Sequence, residues 1–428
     1  MKYIKRILFD EIKKWIGRRE IIAIRGPRQS GKTTLLKMLS EWIIAEKKVD
    51  PKHVIYVTFE DREELDSFSQ NPKDFTARHI SGPGKHYLLI DEAQYCKDLG
   101  QKLKLVYDLF DDLKIIITGS SSLELKNQTG KFLVGRLLEF ELMPLTFYEY
   151  LSHADIGLAE MYHQWNEKII SSVSVGKALS VKKAAEIFND ELLKHLNNFM
   201  KFGGYPAVVA ARNEEEKVIL LKNLINTYLD RDILSFLQIT DTIKFRKLMT
   251  LLAASDGSLI KIEKFANEIG SYFVELTKLL DALEQTYVIR RIGPYYKNKV
   301  TELRKAQKTY FVDTGLRNLL VENFSGLEKR PDAGALVENF VLNELYPYCT
   351  LRFWRTTMKS EVDFVAEHKQ PLPIDVKFQH YSKPELTKSL YGFLDAYKPK
   401  ECIVITKDFW GERRVAGSKI TFVPVVYL

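Results

Sequence analysis

Five short apolar runs in the first 150 residues have the length of buried strands, and stretches with helical spacing separate them. The runs are EIIAIRG (20–26), HVIYVTF (53–59), HYLLI (86–90), KIIIT (114–118) and the run from Leu138 to Leu142. The opening MKYIKRILFDEIKKWI carries acidic residues at the spacing of an amphipathic helix. This pattern predicts an α/β domain with a parallel sheet over residues 1–150.

A glycine-rich segment joins the first run to a helical stretch, LLKMLSEWII. It reads GPRQSGKT and satisfies G-x-x-x-x-G-K-[ST] at every fixed position. In such a loop, backbone N–H groups surround the phosphates, Lys32 reaches the β and γ phosphates, and Thr33 coordinates magnesium. The alternative is a chance glycine-rich turn before a helix. The predicted cofactors are ATP and Mg²⁺, and the predicted binding residues are Gly26, Pro27, Arg28, Gln29, Ser30, Gly31, Lys32, Thr33 and Thr34.

Two carboxylates, Asp91 and Glu92, follow the apolar run that begins at His86. The carboxyl end of a buried strand is where an open parallel sheet places its chemistry. We therefore expect Asp91 to hold the magnesium shell and Glu92 to polarise the attacking water. An exposed acidic turn is the alternative.

Two further positions are candidates for sensing the nucleotide. A hydroxyl of Thr118 or Ser120 could hydrogen-bond the water or the γ-phosphate, although a helix N-cap is the other interpretation. Arg136 could neutralise charge on the γ-phosphate, in cis or from a neighbouring subunit of a homo-oligomer. A solvated or structural arginine is the alternative. The predicted catalytic residues are Glu92, Lys32, Arg136 and Ser120.

Four segments between residues 20 and 150 carry a family resemblance: GPRQSGKTTLL, LLIDEAQ, IITGSSS and GRLLEFELMPLTFYEYL. In this order they resemble a prokaryotic, largely archaeal, ATPase family of the AAA+ superfamily whose C-terminal domain is uncharacterised. The resemblance implies a P-loop NTPase sheet of the AAA+/ASCE type, with the phosphate-loop strand flanked by the Asp91 strand and the Ser120 strand. It also implies that Arg136 senses nucleotide. No second sensor arginine of the ordinary AAA+ type is evident downstream, which argues against a ring-shaped motor.

Residues 151–235 have a helical pattern interrupted by FGGYP, and we assign them to a lid or linker region. In the resembling family, GGYP and YLDRDI mark the entry to the C-terminal module. Asp230, Arg231 and Asp232 are accounted for by an ion pair at a helix end, so we assign them no chemistry.

Residues 236–310 read as three helices and a hairpin, the last within YVIRRIGPYYKNK, an order that resembles a winged helix-turn-helix. The hairpin carries suitable charge for DNA phosphates, whereas the third helix has more acidic than basic residues. A protein-packing role is therefore an equal alternative to DNA binding. The basic residues of the hairpin are Arg290, Arg291, Lys297 and Lys299. The third helix carries three acids, Glu275, Asp281 and Glu284, and one basic residue, Lys278.

Residues 311–428 hold a second set of charged side chains on a helix, two strands and a turn. Glu338, Asp363 and Asp375-Val376-Lys377 match the arrangement of the PD-(D/E)xK nuclease superfamily, with Val362 where proline is usual. Such carboxylates hold magnesium, and the lysine activates water. Glu361 could assist. This domain could be an active nuclease, or it could have the nuclease fold and serve as a binding module.

Composition adds a preference for an anionic partner. The net charge is +8, the isoelectric point is about 9.0, and residues 241–310 hold thirteen Lys/Arg against eight Asp/Glu. Three distant cysteines and the lack of a long apolar stretch favour a cytoplasmic protein without a membrane span. We expect ATP binding and hydrolysis coupled to a C-terminal half that engages DNA. The alternatives are an ATP-regulated nuclease and an ATP-switched scaffold that never meets DNA.

Overall fold

A computed structural model describes residues 3–120, 132–177, 179, 188–228, 241–296, 306–383 and 385–428. The chain divides into two units, Met1–Leu145 with Gln285–Tyr287, and Thr146–Glu284 with Val288–Leu428. Each unit has its own sheet and its own cores. The four-part division at residues 150, 235 and 310 stays a prediction.

The first unit is built on a five-stranded sheet in the order β2-β3-β4-β1-β5, with every neighbouring pair parallel. All five predicted strands are present, so the α/β parallel-sheet prediction is confirmed. The elements are α1 (Ile7–Trp15), β1 (Ile21–Arg25), α2 (Lys32–Glu46), β2 (Val54–Thr58), α3 (Arg62–Gln70), α4 (Pro72–His79), β3 (His86–Asp91), α5 (Leu99–Leu109), β4 (Leu113–Gly119) and β5 (Leu137–Glu141).

The neighbours of the phosphate-loop strand differ from those that the family resemblance implied. Strand β1 lies between β4 and β5, with Ile22 opposite Ile116 on one side and Leu138 on the other. The strand that ends in Asp91 is one position further away, beyond β4. The implied contact between β1 and the Asp91 strand is therefore wrong, because β4 lies between these two strands and pairs with both.

Side chains that alternate along the strands contribute to two hydrophobic cores, one on each face of this sheet. On one face, Ile21, Ala23 and Ile117 belong to a core that includes residues of α3, α4 and α5. On the other face, Ile22 and Ile24 pack with residues of α1 and α2. Coverage on both faces explains why the strands read as continuous apolar runs.

The second unit contains a mixed six-stranded sheet in the order β12-β13-β11-β10-β9-β8. Strand pairs β10–β11 and β11–β13 are parallel, and the other pairs are antiparallel. Its helices are α6 (Phe147–Ala154), α7 (Ile156–Val175), α8 (Asn189–Phe202), α9 (Pro206–Val209), α10 (Glu214–Tyr228), α11 (Thr242–Ala254), α12 (Ile262–Ile269), α13 (Phe273–Gln285), α14 (Thr314–Leu320), α15 (Ala333–Leu345) and α16 (Lys388–Tyr397). Its strands are β6 (Ile289–Ile292), β7 (Lys308–Phe311), β8 (Leu351–Arg355), β9 (Glu361–Ala366), β10 (Leu372–Lys377), β11 (Glu401–Thr406), β12 (Gly411–Val415) and β13 (Ser418–Pro424).

Two features of this unit differ from the sequence expectation. The hairpin expected within residues 287–299 has its first strand there, but its partner β7 starts only at Lys308 and pairs antiparallel with β6. The sheet also extends beyond the predicted strands, because β13 pairs in parallel with β11 and β12 pairs with β13. Asp230, Arg231, Asp232, Lys297 and Lys299 lie outside the described residues.

Candidate nucleotide-binding site

The phosphate loop leaves β1 through a glycine that no other residue could replace without a clash. A Cβ at Gly26 would overlap the carbonyl oxygen of Leu142 and come within 2.9 Å of its carbonyl carbon. The end of β5 is fixed at this point because the Leu142 N–H donates to the carbonyl of Arg25 at 2.7 Å. Gly26 therefore lets the loop pass against the backbone that follows β5.

The loop enters α2 through Gly31, which has the left-handed φ of 98° that glycine favours. The first helical hydrogen bond runs from Leu35 N–H to the carbonyl of Gly31 at 2.8 Å. The amides at the start of the helix therefore remain available to an anion, together with the positive end of the helix dipole. Ser30 is fully buried and its hydroxyl has no hydrogen-bond partner among the described residues.

Lys32 is folded back over the loop that it follows. Its Nζ donates to the carbonyl of Gly26 at 3.0 Å and to the carbonyl of Pro27 at 2.8 Å, and the side chain is 4% exposed. The ammonium group thus lies inside the curve of the loop, where the sequence analysis expected a phosphate contact. Thr34 is exposed on the first turn of α2.

Asp91 is the centre of a hydroxyl cluster at the carboxyl end of β3. Its Oδ2 accepts hydrogen bonds from Thr33 Oγ1 at 2.7 Å and from the Tyr56 hydroxyl at 3.1 Å. Its Oδ1 accepts a bond from Thr118 Oγ1. The structure therefore brings together two residues that the sequence assigned to magnesium, Thr33 and Asp91, although they are 58 positions apart.

Glu92 turns the chain sharply at the end of β3, since its backbone has a left-handed φ of 51°. Its N–H donates to Thr118 Oγ1 at 3.1 Å. Its carboxylate Oε2 accepts from Nε2 of Gln94, which also lies 3.1 Å from Ser120 Oγ. Both predicted sensor positions, Thr118 and Ser120, thus contact this acidic pair directly or through Gln94.

Arg136 is the predicted site residue that the structure does not bring to the loop. It immediately precedes β5, whose first residue, Leu137, pairs with Ile21 at the start of β1. Five residues along β1, at about 3.3 Å each, separate Ile21 from Gly26, a distance of about 17 Å. The guanidinium pairs with Asp108 at 3.3 Å. A contact from Arg136 to a γ-phosphate in the same chain does not fit this position, and a contact in trans stays a prediction.

In the second unit, lysines bridge the carboxylates that the sequence analysis assigned to a nuclease. Lys377 Nζ lies 3.1 Å from Asp363 Oδ2 and 3.0 Å from Asp375 Oδ1. Lys308, which starts β7, pairs with Glu338 at 2.9 Å and with Glu361 at 2.6 Å. The predicted residues do converge, but each pair of acids holds an ammonium group.

Burial changes the acidity of this cluster. Burial and the charge of Asp363 raise the pKa of Asp375. The same two causes raise the pKa of Glu338, which also accepts a hydrogen bond from the Tyr310 hydroxyl. Within the described ranges, no group of three or more His, Cys, Asp and Glu side chains is placed to hold a metal ion. Glu338, Asp363 and Asp375 thus do not form the three-carboxylate metal site expected from sequence.

Arg290 and Arg291, expected to face DNA phosphates, are engaged inside the second unit. Arg291 pairs with Asp281 at 2.7 Å and donates from Nε to Glu284 at 2.8 Å, which accounts for two of the acids of α13. Arg290 donates to Asn343 at 2.7 Å and lies 4.0 Å from the centre of the Tyr346 ring. Both guanidinium groups are therefore held by partners within the second unit.

Three residues with central positions were not foreseen: Tyr56, Gln94 and Lys308. Gln94 is part of the LLIDEAQ segment, so its place beside the acidic pair was visible but its partners were not. Tyr56 sits on the strand next to β3, opposite Leu89, and nothing local in the sequence marks it. Lys308 is 2% exposed and would have been read as a surface lysine.

A comparison with known protein families identifies a domain in the N-terminal part of the chain. Residues 18–151 match the family model of an AAA domain. The AAA domain therefore spans all five strands and the whole acidic and hydroxyl cluster, and its parallel sheet has the P-loop NTPase fold. Two further models, both described as domains of unknown function, match residues 193–328 and 333–427.

Similar proteins occur in bacteria as well as in an archaeon. An uncharacterised protein of Mycobacterium tuberculosis is 25% identical over 389 residues, covering 90% of this chain and 75% of its own. An uncharacterised protein of Methanocaldococcus jannaschii is 26% identical over 439 residues, covering 98% and 86%. Among solved structures, a Walker-type ATPase of Pyrococcus abyssi aligns with a TM-score of 0.47 and 15% identity, covering 74% of this chain and 96% of its own. No helix in the described part of the chain has the length and apolar character that a bilayer crossing needs.

Proposed function

We propose that the AAA domain binds Mg-ATP at the carboxyl edge of its sheet and hydrolyses it. The observation that carries this proposal is the Thr33–Asp91 hydrogen bond, because it joins the end of the phosphate loop to the acidic strand end. A hydroxyl and a carboxylate in contact are the oxygen ligands that magnesium prefers in phosphate sites. Their proximity, next to a loop shaped like an anion site, supports the assignment of both.

The residues present fit a bound triphosphate. The backbone N–H groups of the loop, which Pro27 lacks, and those of the first turn of α2 would hold the phosphate oxygens, and Lys32 is already inside the loop. Thr33 and Asp91 would hold magnesium, which when bound neutralises charge on the β and γ phosphates. Glu92 is the proposed base that orients water, because it follows Asp91 directly and its carboxylate is partly exposed.

A phosphate-release assay tests the hydrolysis. We expect the wild type to release phosphate from ATP with magnesium and to stop when EDTA removes it. Glu92→Gln is expected to bind ATP with unchanged affinity and to lose about 10²–10⁴-fold in turnover, the usual contribution of a general base. Glu63→Gln, an exposed residue at the start of α3, serves as the matched control. Full turnover in the Glu92 variant would remove the proposed role of that side chain.

We further propose that the nucleotide state controls a C-terminal half that contacts DNA. Since Arg290 and Arg291 are engaged internally, the support comes from the sequence between β6 and β7. Residues 297–305, KNKVTELRK, carry four basic residues and one acid, and so contribute most of the positive excess of the surrounding segment. Clustered basic side chains of this kind bind DNA through its phosphates.

Duplex binding measured at several salt concentrations tests this half of the proposal. Replacing four basic residues with alanine should reduce the slope of log affinity against log salt by about 3–4. The residues are Lys297, Lys299, Arg304 and Lys305. A control removes the same charge at exposed lysines of the first unit, Lys14, Lys37, Lys73 and Lys104. An unchanged slope, or no binding at low salt, would favour the scaffold role instead.

Nuclease activity is not part of the proposal, because the described acids do not fit a metal as they stand. A cation between Asp363 and Asp375 would have to displace Lys377. We expect no cleavage of duplex or single-stranded DNA with magnesium or manganese. Cleavage that disappears in Asp375→Ala but persists in Asp395→Ala, an exposed residue of α16, would restore the nuclease alternative.

A further inference from the structure

We propose that Gln94 is a positioning residue for ATP hydrolysis, which fixes the carboxylate of Glu92 and links it to Ser120. The inference rests on the proposed ATPase function and adds a residue to its machinery. Gln94 lies two positions after Glu92 in a short 3₁₀ turn, Ala93–Tyr95, and is 3% exposed. Its side chain is therefore held in the interior at the edge where β3 and β4 end.

The chemistry of the two side chains fixes the orientation of the Gln94 amide. A carboxylate only accepts hydrogen bonds, so Glu92 Oε2 requires the NH₂ group of Gln94 to face it. The same nitrogen lies 3.1 Å from Ser120 Oγ. Both hydrogens of one amide group are thus used, one for the acid that follows β3 and one for the hydroxyl that follows β4.

The remaining polar atom of the amide, Oε1, differs from the NH₂ group in its environment. With the NH₂ group fixed, Gln94 Oε1 is buried and has no hydrogen-bond partner among the described residues. A buried acceptor without a partner costs free energy, so the stabilising contribution of the Gln94 side chain comes from its two donated hydrogen bonds. Its donors are what this position requires.

Gln94 is also the one described side chain that donates a hydrogen bond to the Glu92 carboxylate. Thr118, the other neighbour, receives the Glu92 backbone N–H and donates to Asp91, so it positions the main chain and leaves the carboxylate unheld. Without Gln94 the carboxylate would rotate over several rotamers. The general base would then spend less time in the orientation that proton transfer needs.

Turnover and ATP affinity of Gln94→Ala test the inference, with Gln101→Ala, an exposed glutamine of α5, as the matched control. We expect Gln94→Ala to lower kcat about 10–100-fold and to leave the ATP dissociation constant unchanged. Gln94→Glu keeps the size of the side chain but removes the donors, so we expect it to lower kcat at least as much. An unchanged or increased kcat in Gln94→Ala would overturn the inference. A wild type that binds ATP without hydrolysing it would instead overturn the proposed function, and this inference with it.

A double-mutant cycle separates positioning from a structural effect. If Gln94 acts through Glu92, its removal should have no further effect on single-turnover hydrolysis in a Glu92→Gln background. If the two losses multiply, Gln94 acts independently of Glu92 and the inference is wrong. Melting temperatures of all four proteins in the cycle, compared with the kinetic losses, identify a variant that has merely unfolded.

Discussion

The hydroxyl of Thr33 donates a 2.7 Å hydrogen bond to Oδ2 of Asp91, so the first turn of α2 is tied to the end of β3. The same oxygen accepts the Tyr56 hydroxyl from β2, and the other oxygen accepts Thr118 from β4. Burial, followed by the charge of Asp91, raises the pKa of Tyr56, which keeps that hydroxyl a donor. Four elements therefore meet at one carboxylate, which explains how separate strand ends form one site.

Gly26→Ala should damage both folding and nucleotide binding. The added methyl group meets the backbone carbonyl of Leu142, which cannot move without breaking the pairing of β5 with β1. Overpacking of this kind costs about 1–3 kcal/mol, and the loop must shift to relieve it. We expect a lower melting temperature and weaker ATP binding. Gly17→Ala is the control, because a Cβ there meets nothing within 4 Å, and equal behaviour of the two variants would contradict the account.

Arg136→Ala should leave turnover per chain unchanged at concentrations where the protein is monomeric. The side chain lies at the amino end of β5 and pairs with Asp108, on the edge of the sheet opposite to the phosphate loop. Turnover measured across a dilution series, with sedimentation to establish the association state, checks this. A loss of turnover in the monomer would show that Arg136 reaches the nucleotide of its own chain, against the strand register.

Lys308→Met should destabilise the second unit by about 3–5 kcal/mol, since it leaves two acids without their shared cation in a buried position. The lysine is 2% exposed and pairs with Glu338 and Glu361. Adding Glu338→Gln should recover part of the loss by removing one of the charges that Lys308 offsets, whereas Glu361 keeps its pair with Arg355. Chemical denaturation measures both, with the exposed Lys369→Met as control. Unchanged stability in Lys308→Met would mean that the bridge contributes nothing.

Glu344 should make the second unit less stable as the pH rises. Burial raises the pKa of Glu344 to about 8, against an ordinary value of 4.5, while the Phe147 N–H donates to it at 3.0 Å. Between these values the folded state keeps a proton that the unfolded chain loses, so the free energy of unfolding falls by roughly 3–5 kcal/mol as the pH rises through this window.

Glu344→Gln tests this dependence because glutamine cannot titrate. We expect the variant to be more stable than the wild type at pH 8.5 and to lose this advantage at pH 5. Thermal melts across that range measure the difference, with the exposed Glu215→Gln as control. Parallel curves for wild type and Glu344→Gln would show that this carboxyl does not titrate in the window.

Local signals were enough to predict the loop, the acidic pair and the strands of the first sheet. Each depends on residues that are close in sequence, such as the glycines around Lys32 or the apolar run before Asp91. The order of the strands does not depend on local sequence, because β4 pairs with β1 although more than 80 residues of chain separate them. That is why the implied contact between β1 and the Asp91 strand was wrong.

Side-chain partners were the other part that the sequence could not supply. Arg290 and Arg291 looked suited to phosphates, yet the fold places them against Asn343 and Glu284. Among the acids assigned to a nuclease metal, Glu338 and Glu361 pair with the buried Lys308, which no local signal in the sequence marks. A count of charged residues predicts the net charge of a surface only when those residues are not paired with other side chains inside the protein.

Calorimetric titration of Mg-ATP into wild type and Lys32→Ala tests the central claim most directly. Lys32 lies inside the loop and contacts its carbonyls, whereas Lys37 is exposed on the same helix and provides a control of the same chemistry. We predict that wild type and Lys37→Ala bind with the same affinity and that Lys32→Ala binds at least about 100-fold more weakly, as loss of a charge-assisted phosphate contact implies. Equal affinity in wild type and Lys32→Ala would contradict the proposal that this loop holds the nucleotide.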